Sequence, residues 1–396
     1  MKQKHIAIFT IMAAGHVYTC LDVCCELAGR GHRITFPANE LFSAKIRAKG
    51  LEAIELKSTH FKVPENLLPN HYDDDSLFWR RVGSVDFSFL MLNALAIVDQ
   101  LQDFYAASPP DLILYDWCNF AGRIFAKFLR RPAIQLCTHF AQNGSMVRLD
   151  GAYVTPEPIR EVSRVLDNFM SVLGFEGRDQ LWHAEPINIF LIPREFQYDV
   201  DSFDERFKFV GVTFSSRPPA DVWRKEADIA GPILLVSEGS LSSDDRFLRL
   251  CIEAFAESRY HVIFLRGIHN TEGSSSLLPR NFEVNRGIAN SEVLPISDVA
   301  VCQAGMGTTL ECLYHGVPVV AVPPDPFNSE VAFRLSELGL GLHVSEREMN
   351  PRSLRLAVDR ASIDDAIRGR VRCMQELLKN NHGAELAADI IEESFE

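Results

Sequence analysis

The feature that most constrains the fold is a regular alternation of short apolar runs with longer amphipathic segments. Near the start of the sequence, apolar runs at 6–11, 33–37 and 51–56 are separated by amphipathic segments at 21–28 and 40–49. Short apolar runs are typical of buried parallel strands, and each amphipathic segment is long enough to form the helix that connects two such strands. The sequence therefore predicts a βαβαβ unit at this end of the chain.

The same alternation continues and then starts again in the second half of the sequence. The further predicted helices lie at 85–105, 120–129, 244–257, 308–315 and 329–338, and the further strands at 112–115, 133–137, 188–192, 207–212, 233–237, 261–265, 299–302 and 317–322. A chain of 396 residues exceeds one ordinary core. We predict a first domain at 1–214, a second domain at 215–380, and a final helical segment at 381–396 that could dock on either domain and that we place on the first.

The composition argues against several classes of partner. The net charge of -13 is spread without a basic block, which disfavours nucleic acids and anionic membrane surfaces as partners. No segment reaches the roughly 20 apolar residues that span a bilayer. The apolar run at 6–15 leads into His16 without a signal-peptide cleavage pattern, so a buried first strand is expected. The nine cysteines form no CxxC pair, which predicts reduced thiols and a cytoplasmic location.

Polar residues follow the ends of two predicted strands. His16 follows the first strand, and Asp116 directly follows the strand at 112–115. Ligands of an open parallel sheet bind at the carboxyl ends of its strands. A histidine can take a proton from a hydroxyl near neutral pH, and a carboxylate on its other nitrogen fixes the tautomer. The two residues form a candidate catalytic dyad, although a lone histidine at a strand end is more often structural.

A glycine-containing turn follows the predicted strand at 299–302. The turn at 303–309 leads into a helix whose first N–H groups suit a diphosphate without a metal ion, and Gly239-Ser240 offers a second small turn. The turn lacks the ending of a phosphate loop and is no strict dinucleotide fingerprint, which weighs against a nucleotide triphosphatase or a dehydrogenase. The acidic run at 73–75 is interpreted as a solvated charge cluster, so no metal site is predicted.

Irregular segments rich in aromatic residues interrupt the first half of the chain, one after residue 56 and one at 138–186, the latter with a predicted helix at 158–173. Insertions of this kind often build substrate pockets, although each aromatic side chain is equally compatible with an ordinary core position. The candidate acceptor-binding residues are Phe78, Trp79, Phe87, Phe89, Phe140 and Trp182.

Six segments are distinctive when taken together: HIAIFTIMAAGHVYTCL (5–21), ELAGRGHRIT (26–35), PDLILYD (110–116), LVSEGS (235–240), DVAVCQAGMGTTLE (298–311) and GVPVVAVP (316–323). They resemble one family, the macrolide-type nucleotide-sugar-dependent glycosyltransferases that modify antibiotics and other natural products. The resemblance spans nearly the whole chain. It implies the GT-B fold, an α/β architecture of two Rossmann-like domains that face each other across a cleft, with the acceptor on the first domain and the nucleotide-sugar on the second.

The resemblance also implies residue roles. His16 matches the family's catalytic base and Asp116 its activating aspartate, in a single displacement that inverts the anomeric carbon without a metal ion or a cofactor. The implied co-substrate is a UDP- or dTDP-sugar, and the implied acceptor is a small apolar molecule such as a macrolide or polyketide. The implied donor-binding residues are Ser240, Gly305, Met306, Gly307 and Thr308 near the phosphates and Glu311 at the ribose.

The donor half departs from the family pattern at several positions. Gln303 stands where the family usually has a histidine, and Gly287 replaces the tryptophan that stacks on the base. Three readings follow: an unusual donor such as a deoxysugar nucleotide, a degenerate protein that binds an acceptor or helps a partner, or a sugar-nucleotide epimerase, which requires further acidic groups. The pair of His16 and Asp116 would have no obvious purpose in a protein that only binds an acceptor, and it therefore favours a working transferase. Ala289 and Asn290 replace a proline and a glutamine of the family. The substitute donor-binding residues are Arg286 for the missing aromatic ring, Asn290 for the glutamine, and Asp325 and Asn328 for an acidic–amide pair.

Overall fold

The computed structural model describes most of the chain. Of residues 87–89, 91–92, 147–149, 152–154 and 326–327 it describes the backbone only. The described residues are 2–57, 87–142, 147–149, 152–154, 171–172, 174, 184–214, 231–239, 245–266, 278–286, 288–324 and 326–395.

The chain divides into two compact units. The first contains residues 1–148, 153–216 and 381–396, and the second contains 149–152 and 217–380. Each unit is built on a parallel sheet with helices, so the predicted α/β class is confirmed. Among the described helices, none combines the length and the apolar character that a bilayer-crossing segment requires.

The first unit is built on a seven-stranded parallel sheet with the order β3-β2-β1-β4-β5-β8-β9. A separate two-stranded sheet pairs β6 with β7. The strands are β1 His5–Phe9, β2 Arg33–Ala38, β3 Glu52–Glu55, β4 Leu112–Asp116, β5 Ala133–Cys137, β6 Val147–Leu149, β7 Ala152–Val154, β8 Asn188–Phe190 and β9 Phe207–Phe209. The first four helices are α1 Ala14–Gly29, α2 Glu40–Ala48, α3 Phe87–Ala107 and α4 Phe120–Leu129, with short 3-10 helices at Arg194–Phe196 and Val200–Ser202.

The second unit is built on a six-stranded parallel sheet with the order β12-β11-β10-β13-β14-β15. Its strands are β10 Ile233–Ser237, β11 His261–Arg266, β12 Phe282–Arg286, β13 Val299–Cys302, β14 Val319–Ala321 and β15 Gly341–His343. The helices that follow in the chain are α5 Asp245–Phe255, α6 Asn290–Val293, α7 Met306–Tyr314, α8 Pro326–Glu337, α9 Pro351–Ile363, α10 Asp365–Lys379 and α11 Gly383–Glu393, with a 3-10 helix at Leu294–Ile296.

The central strands are apolar because both of their faces are covered. Every residue of β4, β10 and β13 is buried, and the four residues that follow His5 in β1 are buried as well. Helices α1 and α4 contribute buried side chains to two separate apolar clusters of the first unit. Continuous burial of this kind explains why the sequence shows apolar runs rather than alternation.

Several features of the fold differ from the sequence-based expectation. Strands β6 and β7 lie in a segment that was predicted to be irregular. Strands β12 and β15 were not predicted, since β12 carries three polar residues and β15 has only three residues. Helix α1 begins at Ala14 rather than near 21, so His16 lies in its first turn and not in a loop. The start of α1 has no capping side chain, and for that reason the sequence gives no signal for it.

Candidate active site

The strand order brings His16 and Asp116 together in the first unit. The order changes direction between β1 and β4, which are neighbours with Phe9 opposite Tyr115. His16 follows β1 by way of the turn into α1, and Asp116 is the last residue of β4. A change of direction leaves a crevice at the carboxyl ends of the two strands, where ligands of such sheets bind.

The carboxylate of Asp116 binds one nitrogen of the His16 ring. The Nδ1–H of His16 donates to Oδ2 of Asp116. A carboxylate can only accept hydrogen bonds, so the ring proton lies on Nδ1 and the lone pair lies on Nε2. The His16 side chain is 24% exposed, whereas that of Asp116 is fully buried. The pair therefore presents an unprotonated ring nitrogen that can accept a proton from a hydroxyl group.

Besides His16, the Asp116 carboxylate has neutral groups near it among the described residues. Its Oδ1 accepts a hydrogen bond of 3.2 Å from the backbone N–H of Cys118. Burial, and next the nearby carboxylate, raise the pKa of the thiols of Cys20, Cys118 and Cys137. These thiols stay protonated at neutral pH, so they add no negative charge around His16.

Two residues near the dyad were missed by the sequence analysis. Asn119 donates from Nδ2 to the carbonyl of Thr10 at 2.8 Å, and it caps α4 by accepting from the N–H of Ala121. It thereby links the segment after β1 to the segment after β4. Thr138, directly after β5, has its Oγ1 3.0 Å from Nδ1 of His16. Both residues closely follow predicted strands, and this position in the sequence could have identified them as site residues.

The second unit has a corresponding change of direction between β10 and β13, with Ser237 opposite Cys302. Gly239, after β10, has a φ of +82°, and a Cβ at this position would lie 3.1 Å from Oε1 of Gln303. The two segments that were predicted to approach a diphosphate are therefore adjacent. Ala304 has a φ of +58°, so the turn after β13 is strained.

Helix α7 begins directly after this turn, and no side chain caps its first N–H groups. Gly305 is the residue before the helix and provides no capping side chain. The first N–H groups of a helix lack intrahelical partners, and together with the helix dipole they attract anions. Asn290 Nδ2 donates to Thr308 Oγ1 at 3.4 Å, so α6 meets the first turn of α7. The structure thus groups six of the predicted donor-binding residues, namely Asn290, Gln303, Gly305, Met306, Gly307 and Thr308.

The other predicted donor-binding residues are more widely distributed. Glu311 is half-buried in the second turn of α7. Arg286 is exposed at the end of β12, and Asn328 is half-buried in the first turn of α8, which follows β14. Ser240 and Asp325 lie outside the described residues.

A buried ion cluster lies at the ends of β10 and β11 and was not foreseen. Arg266 donates from Nε to Oε2 of Glu238 at 3.4 Å and from its terminal nitrogen to Oδ1 of Asp245 at 2.7 Å. The side chains of Glu238 and Arg266 are almost fully buried. Buried charges require such partners, and the cluster joins the ends of the two strands. The sequence feature that could have indicated this cluster is the charged residue at the end of each apolar run, Glu238 after 233–237 and Arg266 after 261–265.

The predicted acceptor-binding aromatics are largely beyond what the structure describes. Phe140 is 5% exposed, and its ring packs on those of Phe196 and Tyr198 at centroid distances of 5.8 and 5.0 Å. Phe140 therefore packs in an aromatic cluster. Phe87 is the first residue of α3 and Phe89 lies in its first turn, but only their backbones are described. Phe78, Trp79, Trp182 and the acidic run at 73–75 lie outside the described residues. So does most of the predicted helix at 158–173, of which Ser171 and Val172 are described and are helical.

Comparison with known proteins identifies relatives along the whole chain. No protein-family model matches it. It is 32% identical over 395 residues to the NDP-glycosyltransferase YjiC of Bacillus subtilis (strain 168), covering 99% of this chain and 97% of that protein. It is 28% identical over 406 residues to the demethyllactenocin mycarosyltransferase of Streptomyces fradiae, covering 99% of this chain and 86% of that protein.

A solved structure agrees with these relatives. The crystal structure of CalG4, the calicheamicin glycosyltransferase, matches with a TM-score of 0.79 and 30% sequence identity, over 99% of this chain and 98% of that chain. Sequence and fold therefore point to the same class of enzyme over their full lengths. The chain belongs to the NDP-glycosyltransferase family with the GT-B fold, and it is a glycosyltransferase of the natural-product type.

Proposed function

We propose that the enzyme transfers a sugar from a nucleoside diphosphate sugar to a hydroxyl of a large apolar natural product, with inversion of the anomeric carbon and without a metal ion. The observation that carries this proposal is the pair of His16 and Asp116. The Nδ1–H is bonded to a buried carboxylate, so Nε2 is left as a base.

The proposed reaction is a single displacement. Nε2 of His16 removes the proton of the acceptor hydroxyl while the hydroxyl oxygen forms a bond to the anomeric carbon. The bond from that carbon to the diphosphate oxygen breaks in the same step, and its electron pair leaves with the diphosphate. Protonation of Nε2 gives an imidazolium, whose charge is compensated by Asp116. Attack from the face opposite the leaving group inverts the configuration.

On the donor side, we propose that the diphosphate of a UDP- or dTDP-sugar binds at the first turn of α7. The N–H groups after Gly305 and the dipole of the helix support this assignment. Gln303 contributes an uncharged amide beside Gly239. An amide stabilises a leaving diphosphate less than a cationic group does, and we therefore expect a donor other than a common hexose nucleotide, such as a deoxysugar nucleotide.

The acceptor class is proposed from the relatives. One relative is named for mycarosyl transfer to demethyllactenocin and another for calicheamicin. We propose an acceptor of the same broad type, a polyketide or macrolide with a free hydroxyl group. We further propose that the aromatic residues of the first unit's insertions bind it.

The test of the base is the substitution His16→Ala. With a set of macrolide and polyketide acceptors and a donor that supports turnover, kcat is expected to fall by about 10² to 10⁴, since positioned proton transfer contributes that much. Affinity for the nucleotide should stay the same because the residue lies in the other unit.

His382→Ala is the matched control. This histidine precedes α11, and its side chain is 66% exposed. Its removal should leave turnover unchanged. Undiminished turnover in His16→Ala would refute the base assignment, and a retained anomeric configuration in the NMR spectrum of the product would refute the single displacement. Full loss of activity with a metal chelator would refute metal independence.

The test of the donor site is calorimetric titration with UDP, dTDP and GDP. Gly239→Ala should weaken the binding of the preferred nucleotide by about tenfold, because the new Cβ displaces Gln303. Such a loss corresponds to about 1.4 kcal/mol of binding free energy. Gly50→Ala is the matched control, with a φ of +80° and no atom within 4 Å of the added Cβ. Equal affinities of both variants would contradict the site, and absence of any nucleotide binding would favour a helper protein that binds the acceptor.

A further inference from the structure

Thr138 contacts the same ring atom of His16 as Asp116 does. Thr138 follows β5 directly, and the residue is 8% exposed. Its Oγ1 lies 3.0 Å from Nδ1 of His16, and the same Nδ1 meets Oδ2 of Asp116. Because Nδ1 carries one hydrogen, the two oxygens, which come from neighbouring strands, share it.

We propose that Thr138 is a positioning residue that holds the ring of His16 jointly with Asp116. This inference rests on the proposed function, in which His16 removes the acceptor proton. One hydrogen bond leaves a ring free to rock about the axis of that bond, whereas two acceptors on different strands restrict its plane. A restricted plane keeps the Nε2 lone pair aimed at one point, and reaction rates depend strongly on such alignment.

The carboxylate determines the direction of the bond to Thr138. With the proton of the ring on Nδ1, the oxygen of Thr138 acts as an acceptor and its own hydrogen points elsewhere. When Nε2 takes up a proton, the Nδ1–H becomes more acidic and donates more strongly to both oxygens. Thr138 therefore stabilises the imidazolium form of His16 in addition to orienting the ring.

Apart from Asp116, the titratable groups described near this contact are thiols that remain neutral around neutral pH. Asp116 is the carboxylate that meets the ring from β4. The thiols of Cys20, Cys118 and Cys137 lie near Asp116 on α1, after β4 and on β5, and burial raises the pKa of each. A change in the pH dependence caused by Thr138 can therefore be assigned to the ring of His16.

The test compares Thr138→Val with Thr138→Ser. Valine keeps the shape of threonine without its hydroxyl, and serine keeps the hydroxyl. In Thr138→Val, kcat/KM should fall by about tenfold, and the acid limb of its pH profile should move to lower pH by about half a pH unit. Thr138→Ser should stay within about threefold of the unchanged enzyme and keep its acid limb. A fall in kcat/KM of Thr138→Val without a shift of the acid limb would overturn the proposal.

A second readout does not depend on sugar transfer. The ring nitrogens of His16 can be followed by ¹⁵N NMR during a pH titration, with the signals assigned by their loss in His16→Ala. The midpoint of this titration should lie at lower pH in Thr138→Val than in the unchanged enzyme, and in Thr138→Ser it should equal that of the unchanged enzyme. An unchanged midpoint in Thr138→Val would overturn the inference. A moved midpoint in a protein that transfers no sugar would support the contact and refute the proposed function.

Discussion

At the scale of single residues, the backbone of Ala304 is held in a conformation that its side chain disfavours. Its φ of +58° lies in the left-handed region, and the residue is fully buried. Ala304 lies between Gln303 and Gly305, where β13 ends and α7 begins. Strain of this kind persists where the surrounding structure imposes it and is concentrated at functional sites. We infer that the sharp turn aims the N–H groups of α7.

The side chain at position 304 should be restricted accordingly. Ala304→Val is expected to lower the free energy of unfolding by about 2 to 3 kcal/mol, because a β-branched side chain fits the left-handed region poorly and the site is packed. Ala304→Gly should stay within about 1 kcal/mol, since relief of strain offsets lost packing. Urea denaturation measures both values. Equal stability of the two variants would mean that the turn is not strained.

At the scale of elements, α4 lies unusually close to β4, the strand that ends in Asp116. A Cβ added to Gly122 would lie 2.4 Å from Cβ of Tyr115 and 3.4 Å from Cβ of Phe9. The absence of a side chain at this position lets the helix contact both central strands of the first unit. The helix also carries Asn119 at its N-cap, so its position affects the segment around the dyad.

Gly122→Ala should therefore be destabilising although alanine favours helices. The overlap with Tyr115 should lower the free energy of unfolding by about 1 to 3 kcal/mol and reduce turnover, because β4 must shift. Gly369→Ala in α10 is the matched control, since nothing lies within 4 Å of its added Cβ. That variant should gain roughly 0.5 to 1 kcal/mol from helix propensity. If both substitutions stabilised the protein, α4 would be able to move away from β4 at little cost, and the prediction would be wrong.

At the scale of the whole molecule, the chain returns to its first unit at the end. Helix α11 buries Ala387, Ala388 and Ile391 in the same apolar cluster as residues of α1. Charged groups surround this contact: Glu392 accepts from the guanidinium of Arg30 at 2.7 Å and from Nε2 of His32 at 2.9 Å. Nδ1 of His32 accepts from the backbone N–H of Lys4, so Nε2 carries the proton.

This arrangement should make stability depend on pH. The hydrogen bonds from His32 and then Arg30 hold the pKa of Glu392 below its ordinary value. Because the pKa is lower in the folded chain, the stabilisation is complete above about pH 4.5 and is lost as pH falls through the folded value. Glu392→Gln should therefore cost about 1 kcal/mol at pH 7 and less at acidic pH, in urea denaturation at both pH values.

Glu393→Gln provides the control for this prediction. The residue is exposed on the same helix, so its substitution should leave stability unaltered at either pH. A cost for Glu392→Gln that stays constant between neutral and acidic pH would contradict the role of the ionised carboxylate.

The alternation of strands and helices in both halves could be predicted from the sequence, because buried parallel strands require apolar runs. The sequence also placed His16, Asp116 and the turn at 303–309 after strands, where ligands of such sheets bind. The resemblance to glycosyltransferases rested on the same segments and is confirmed by the relatives. The roles of these residues in catalysis and donor binding stay predictions.

Which strands are neighbours could be learned only from the three-dimensional fold, since periodicity reports whether a strand is buried and not what lies beside it. The pairing of β1 with β4 brings His16 into hydrogen-bond contact with Asp116. The pairing of β4 with β5 brings Thr138 to the same ring nitrogen. The buried cluster around Arg266 and the return of α11 to α1 likewise join residues that are distant in the chain. Contacts of this kind depend on packing in three dimensions, and local sequence does not record them.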